Sequence, residues 1–209
     1  MNEFTIEKNP RRPMMAFEVF QEDIDYCNEE FTSFRNKKNR IEGFIAEKTV
    51  QRLVRAKPCK FIKEGEHPVA DITFIGNESG LEYTVDVKND TCSDKYLMSD
   101  KTCFCVPIRE EHADWLLFTK YSPNSRLLVV VGLMNYYSMA NTAKEYRKGE
   151  VIPEFGGIVS ECDCYVIPQK DIPDIYYPTL NYNVRYDGTI DIAAWDGCYG
   201  LELLNPVKD

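Results

Sequence analysis

Histidine is almost missing from this chain of 209 residues, with His67 and His112 the two that occur. No Ser-His-Asp or Cys-His arrangement for nucleophilic catalysis stands out. The glycine-rich loops that cradle phosphates, G-x-x-x-x-G-K and G-x-G-x-x-G, are absent, which sets aside nucleotide-driven chemistry. Long apolar runs are missing too. The longest extends from Leu127 to Met134, less than half of the roughly 20 residues a bilayer helix needs. No membrane span is expected. The first residues lack the basic start and apolar core of a secretory signal, so the expected location is cytoplasmic. No repeat, low-complexity tract or Gly/Ser linker divides the chain.

What is present is ordinary in bulk and uneven in detail. Hydrophobic residues make up 44 % and charged residues 28 %, as in a soluble globular domain. The eight cysteines include two C-x-C pairs, Cys103 with Cys105 and Cys162 with Cys164. The usual zinc clip spaces its thiolates more widely, so buried thiols are the better reading and zinc the weaker one. The net charge is −9. Between Arg35 and Lys63, however, ten basic residues meet two acidic ones, Glu42 and Glu47, so this segment carries +8 and the remainder −17. A basic block on an acidic protein is what a localised phosphate-binding face requires. A solvated helix face is the plainer alternative.

Spacing supplies the elements. Phe17, Phe20, Ile24, Cys27 and Phe31 predict one amphipathic helix or two short ones over 14–34. A second helix is predicted over 39–56, ending before Pro58. On its wheel Ala46, Val50, Leu53 and Val54 share one side, and Lys48, Arg52 and Arg55 form a basic stripe opposite. Glu47 falls at the margin of the apolar side. The segments 69–75 and 81–88 alternate around a turn and predict a hairpin. Further strands are predicted over 114–119, 126–134 and 162–167, with a short helix within 136–148. The fold class is α/β (α+β), a central mixed β-sheet flanked by helices. Residues 1–38 are read as an N-terminal helical segment, 39–168 as the core and 169–209 as a Tyr- and Asp-rich extension packed on it. His67 reads as a solvated loop residue and His112 as an element end.

Alternation on the second hairpin strand puts Asp86 and Lys88 on one face. Asp71, on the first strand, converges with Asp86 if the apolar faces pair. Two carboxylates held close repel unless a cation lies between them. Hard oxygen ligands suit Mg²⁺ or Mn²⁺, which keep several waters and take only one or two protein carboxylates. A lysine alongside can act on the attacking water or the phosphate.

The ordered set of Glu47 on a helix, Asp71, and Asp86-Val87-Lys88 resembles the PD-(D/E)XK nuclease superfamily. That group includes restriction endonucleases and archaeal-type Holliday junction resolvases. The similarity covers about residues 39–134, with Ala70 where the motif's name has Pro. It implies a restriction-endonuclease-like core and a Mg²⁺- or Mn²⁺-dependent nuclease. Asp71, Asp86 and Glu47 would hold the metal, Lys88 would act at the water, and Lys48, Arg52 and Arg55 would bind nucleic acid, with DNA the expected substrate. A homodimer would suit cleavage of both strands. The competing reading is a catalytically inactive module of this fold that binds nucleic acid or protein.

Overall fold

The computed structural model describes residues 16–30, 37–54, 57–58, 70–75 and 82–172. The chain enters as a short strand, β1 (Ala16–Glu18), before α1 (Gln21–Glu30) and α2 (Lys37–Val54). The first residues of the predicted helical stretch are thus extended. Phe17 is buried between exposed neighbours, a period of two that suits a sheet edge. Three strands follow, β2 (Lys57–Pro58), β3 (Ile72–Ile75) and the long β4 (Glu82–Thr91). A crossover contains the single turn α3 (Asp94–Leu97) and β5 (Cys103–Pro107). It leads to β6 (Trp115–Ser122) and β7 (Leu127–Asn135). The helix expected within 136–148 is shorter, α4 (Tyr136–Thr142), and gives way to β8 (Lys144–Tyr146). The hairpin strands β9 (Val151–Ile152) and β10 (Ile158–Val159) and then β11 (Cys164–Pro168) complete the described elements. The proposed C-terminal extension beyond residue 172 lies outside the described residues.

The main sheet is mixed, with strand order β1-β7-β6-β4-β3-β2. β4 pairs antiparallel with β3 and parallel with β6, as a crossover connection requires. β6 and β7 are buried on both faces, which explains their near-continuous apolar sequences. On one face α2 contributes Ile45, Ala46 and Val50, packed against Ile72, Val85, Val87 and Leu117. These positions fall on one side of the helix and form one stripe. α1 packs on α2, so the N-terminal segment, through β1 and α1, is built into the same core.

The other face is covered differently from the expected layer of helices. A small antiparallel sheet, β5-β11-β8, lies there with α4. Phe104, Val106 and Ile167 from this sheet and Met139 from α4 pack on Leu116 and Phe118 of β6. Phe104 and Val106 alternate with more exposed neighbours, so the segment buries its apolar residues as a strand. The crossover is anchored by Lys120, fully buried in β6, whose Nζ donates to the Tyr96 carbonyl at 2.7 Å and also to that of Ser99. Buried ammonium groups require such partners.

Candidate active site

The site forms where β3 stops covering β4. Their pairing runs from Ile75–Glu82 to Ile72–Val85, while β4 continues to Thr91. Asp71 immediately precedes β3 and lies alongside the Val85–Val87 stretch of β4. Asp71 turns onto the edge of β4, and its Oδ2 accepts a 2.6 Å hydrogen bond from the Val87 amide. Its own amide donates to the Val85 carbonyl at 3.0 Å. From α2, the Gln51 side-chain amide donates to the Asp71 carbonyl at 3.3 Å. Two elements therefore fix the backbone and the carboxyl of this one residue.

Asp86 and Lys88 stand on the opposite face of β4 from Val85 and Val87, which pack under α2. Lys88 Nζ lies 2.6 Å from Asp86 Oδ2, and both side chains are less than one-fifth exposed. Asp114, at the entrance to β6, ties the start of β4 in place by accepting from the Thr84 amide and hydroxyl, each at 2.8 Å.

Electrostatics couple these residues to Glu47. Burial, reinforced by the Asp86 charge, pushes the Asp71 carboxyl up to about 8; the Val87 amide and Lys88 pull it the other way. Asp71 also hydrogen-bonds the Asp86 side chain, which helps it keep its proton. Glu47 is raised well above the usual carboxylate range, first by burial and then by Asp71 and Asp86, against the opposing influence of Lys88. Three acids and one lysine thus share one electrostatic site. The acids do not all ionise together at neutral pH unless further positive charge arrives.

The donor set of two adjoining carboxylates fits a hard divalent cation that keeps several waters. Asp71 and Asp86 would hold it, with Glu47 nearby. Among the described residues no group of three or more His, Cys, Asp or Glu is arranged to hold a metal ion. Glu47 is therefore within electrostatic reach of the pair rather than placed with it as a third ligand.

The basic stripe is placed otherwise than an open phosphate-binding face. Arg52 forms an ion pair with the buried Asp23 of α1, and its guanidinium lies 4.0 Å from the Phe20 ring centroid. Lys48 Nζ lies 4.6 Å from the centroid of Tyr26, also on α1. Both cations meet the neighbouring helix, which a wheel of α2 alone does not reveal. Arg55 and His67 lie outside the described residues.

Several residues around the site escaped the sequence reading. A small cleft on the Asp86 face is lined by Arg109, Glu111, His112, Leu116 and Tyr136. His112 stacks on Tyr136 with ring centroids 3.6 Å apart and planes 7° from parallel. Nothing periodic in the loop before β6 announces this. Gln51 was more accessible to inference, because it lies four residues after Glu47 on the same helix, where side chains share a face. The described cysteines are free thiols. In the two C-x-C pairs Cys164 is buried and Cys103 half-buried, while Cys105 and Cys162 are exposed, so the expectation of buried thiols is met only in part.

No protein-family model matches the chain, and no curated protein is significantly similar to it. Fold and site geometry therefore carry the functional reading. Among the described residues no helix is long and apolar enough to cross a membrane.

Proposed function

We propose that the protein is a metal-dependent nuclease that hydrolyses phosphodiester bonds, with DNA as the expected substrate. The observation that carries this reading is the convergence of Asp71, Asp86 and Lys88 at the middle of β4, where β3 ends, with Glu47 coupled to them from α2. A surface salt-bridged strand pair does not call for two carboxyls brought together with a lysine in a part-buried site. The topology supports the same reading. It is a mixed α/β sheet in which β4, carrying Asp86 and Lys88, pairs antiparallel with β3 and parallel with β6, so the site residues sit on a central strand.

Bound at Asp71 and Asp86, Mg²⁺ or Mn²⁺ would supply positive charge to a scissile phosphate and acidify a water beside it. The chain's own residues do the rest. The Val87 amide and Gln51 hold Asp71 in place against the repulsion of its neighbours. Asp86 orients the Lys88 ammonium. From there Lys88 donates to a non-bridging phosphate oxygen or to the attacking water, stabilising charge that grows in the transition state. The test is incubation with DNA and RNA of several structures in Mg²⁺ or Mn²⁺. Cleavage abolished by chelator and by Asp71→Asn is the expected outcome; inertness toward all substrates would leave the binding-module reading in its place.

A further inference from the structure

We propose that Tyr137, backed by the stacked pair His112 and Tyr136, is a base-stacking platform through which this site selects an unpaired nucleotide. The inference rests on the nuclease reading and names the substrate class within it. Tyr136 and His112 line the same cleft as Asp86, so the aromatic cluster borders the carboxylate site directly. Tyr137 follows at the start of α4 with its side chain directed outward. The residue is 71 % exposed, the highest value among the large hydrophobic residues described.

Its ring is nevertheless well supported. It stands edge-on to His112, with centroids 5.4 Å apart and planes at 90°, and edge-on to Tyr136 at 6.3 Å and 84°. Tyr136 is in turn edge-on to Tyr165 of β11 at 6.3 Å. Four aromatic rings therefore form one connected group, anchored in the core at Tyr136 and open to solvent at Tyr137. Asn135 caps the helix that presents Tyr137, accepting from the Ser138 amide at 2.7 Å. A rigid, exposed aromatic ring binds another flat ring with little loss of side-chain freedom.

The occupant follows from what else lines the cleft. Arg109 and Glu111 both border it, and their opposite charges leave no strong attraction for a phosphate there. Recognition at this point must come from stacking, which every base offers through its face. In a continuous duplex those faces are covered by neighbouring bases. A strand end, a flap or a single strand leaves one free, next to the phosphate that Asp86 and Lys88 would receive.

The test measures binding without requiring cleavage. Fluorescence anisotropy in chelator compares a short oligothymidylate with an abasic strand of the same length, which keeps the phosphates and lacks the bases. Wild type is expected to bind the strand with bases about tenfold more tightly, and Tyr137→Ala to lose that preference while Tyr137→Trp keeps it. Equal affinity of wild type for the two strands, or a preference unchanged in Tyr137→Ala, overturns the platform. A parallel cleavage assay in Mg²⁺ separates the two readings. Cleavage with no base-dependent binding removes the platform alone. Base-dependent binding that needs Tyr137, without cleavage of any substrate, upholds the platform and removes the nuclease assignment.

Discussion

Asp71, just before β3, and Asp86 of β4 come together at the end of the β3–β4 pair, where burial and the Asp86 charge push the Asp71 carboxyl up to about 8. A proton on Asp71 therefore competes with any cation that binds at the two carboxyls. A divalent cation binding there must displace it. Affinity for Mg²⁺ or Mn²⁺ is therefore expected to rise with pH as Asp71 and Glu47 give up their protons, with proton release on binding. Isothermal titration in buffers of different ionisation enthalpy measures that release directly. Binding that is independent of pH between 6 and 8 (on the order of the span set by a carboxyl near 8) contradicts it.

The same shift has a consequence for stability. A carboxyl raised from 3.8 to about 8 binds its proton more tightly folded than unfolded. Its contribution is fully present below the unfolded value and is lost as pH rises through the folded one. The metal-free protein is expected to melt at a lower temperature at pH 8 than at pH 6 (values on the order of those bracketing the upper part of the window). Asp71→Asn should reduce that slope, and saturating Mg²⁺ should restore the lost stability. A melting temperature that instead climbs over this range removes Asp71 as the cause.

Lys88→Ala separates chemistry from binding. If Lys88 acts on developing charge, its removal lowers the single-turnover rate by about 10²–10³-fold and leaves substrate affinity little changed. The partner left behind, Asp86, is less than one-fifth exposed, so some stability is lost as well. A rate within about twofold of wild type is far below the effect expected of such a group, and would take Lys88 out of the mechanism.

Arg52→Ala is expected to act on folding more than on nucleic acid. It leaves Asp23 buried without its cation, at a cost of about 1–3 kcal/mol. The dependence of DNA affinity on salt should shift by less than the one unit of slope, roughly, that a lost phosphate contact produces. Denaturant titration and binding at graded salt distinguish the two roles. A stable variant with a flattened salt slope would restore Arg52 to the phosphate-binding face.

Much of the local pattern was legible in the sequence. The alternation around Asp86 fixed which side chains share its face, and the apolar stripe of α2 placed Glu47 at its margin. Those are properties of a single element. What remained hidden depends on which elements meet. The wheel of α2 isolates Lys48 and Arg52 as a free stripe because it contains no information about α1, whose Asp23, Phe20 and Tyr26 receive them. The sheet β5-β11-β8 joins strands about sixty residues apart in sequence, so neither strand alone announces that it replaces a helical layer. The stack of His112 on Tyr136 likewise joins the loop before β6 to the helix after β7.

Cleavage of end-labelled DNA and RNA by wild type and Asp86→Asn, with Mg²⁺, Mn²⁺ or chelator, tests the assignment of this site most directly. Asp86 is both half of the carboxyl pair and the anchor of Lys88. Wild type is expected to cleave only with a divalent cation, and a folded Asp86→Asn protein to be inactive under the same conditions. Near-wild-type turnover by that variant, or wild-type cleavage that persists in chelator, would contradict a metal-dependent nuclease centred on these residues.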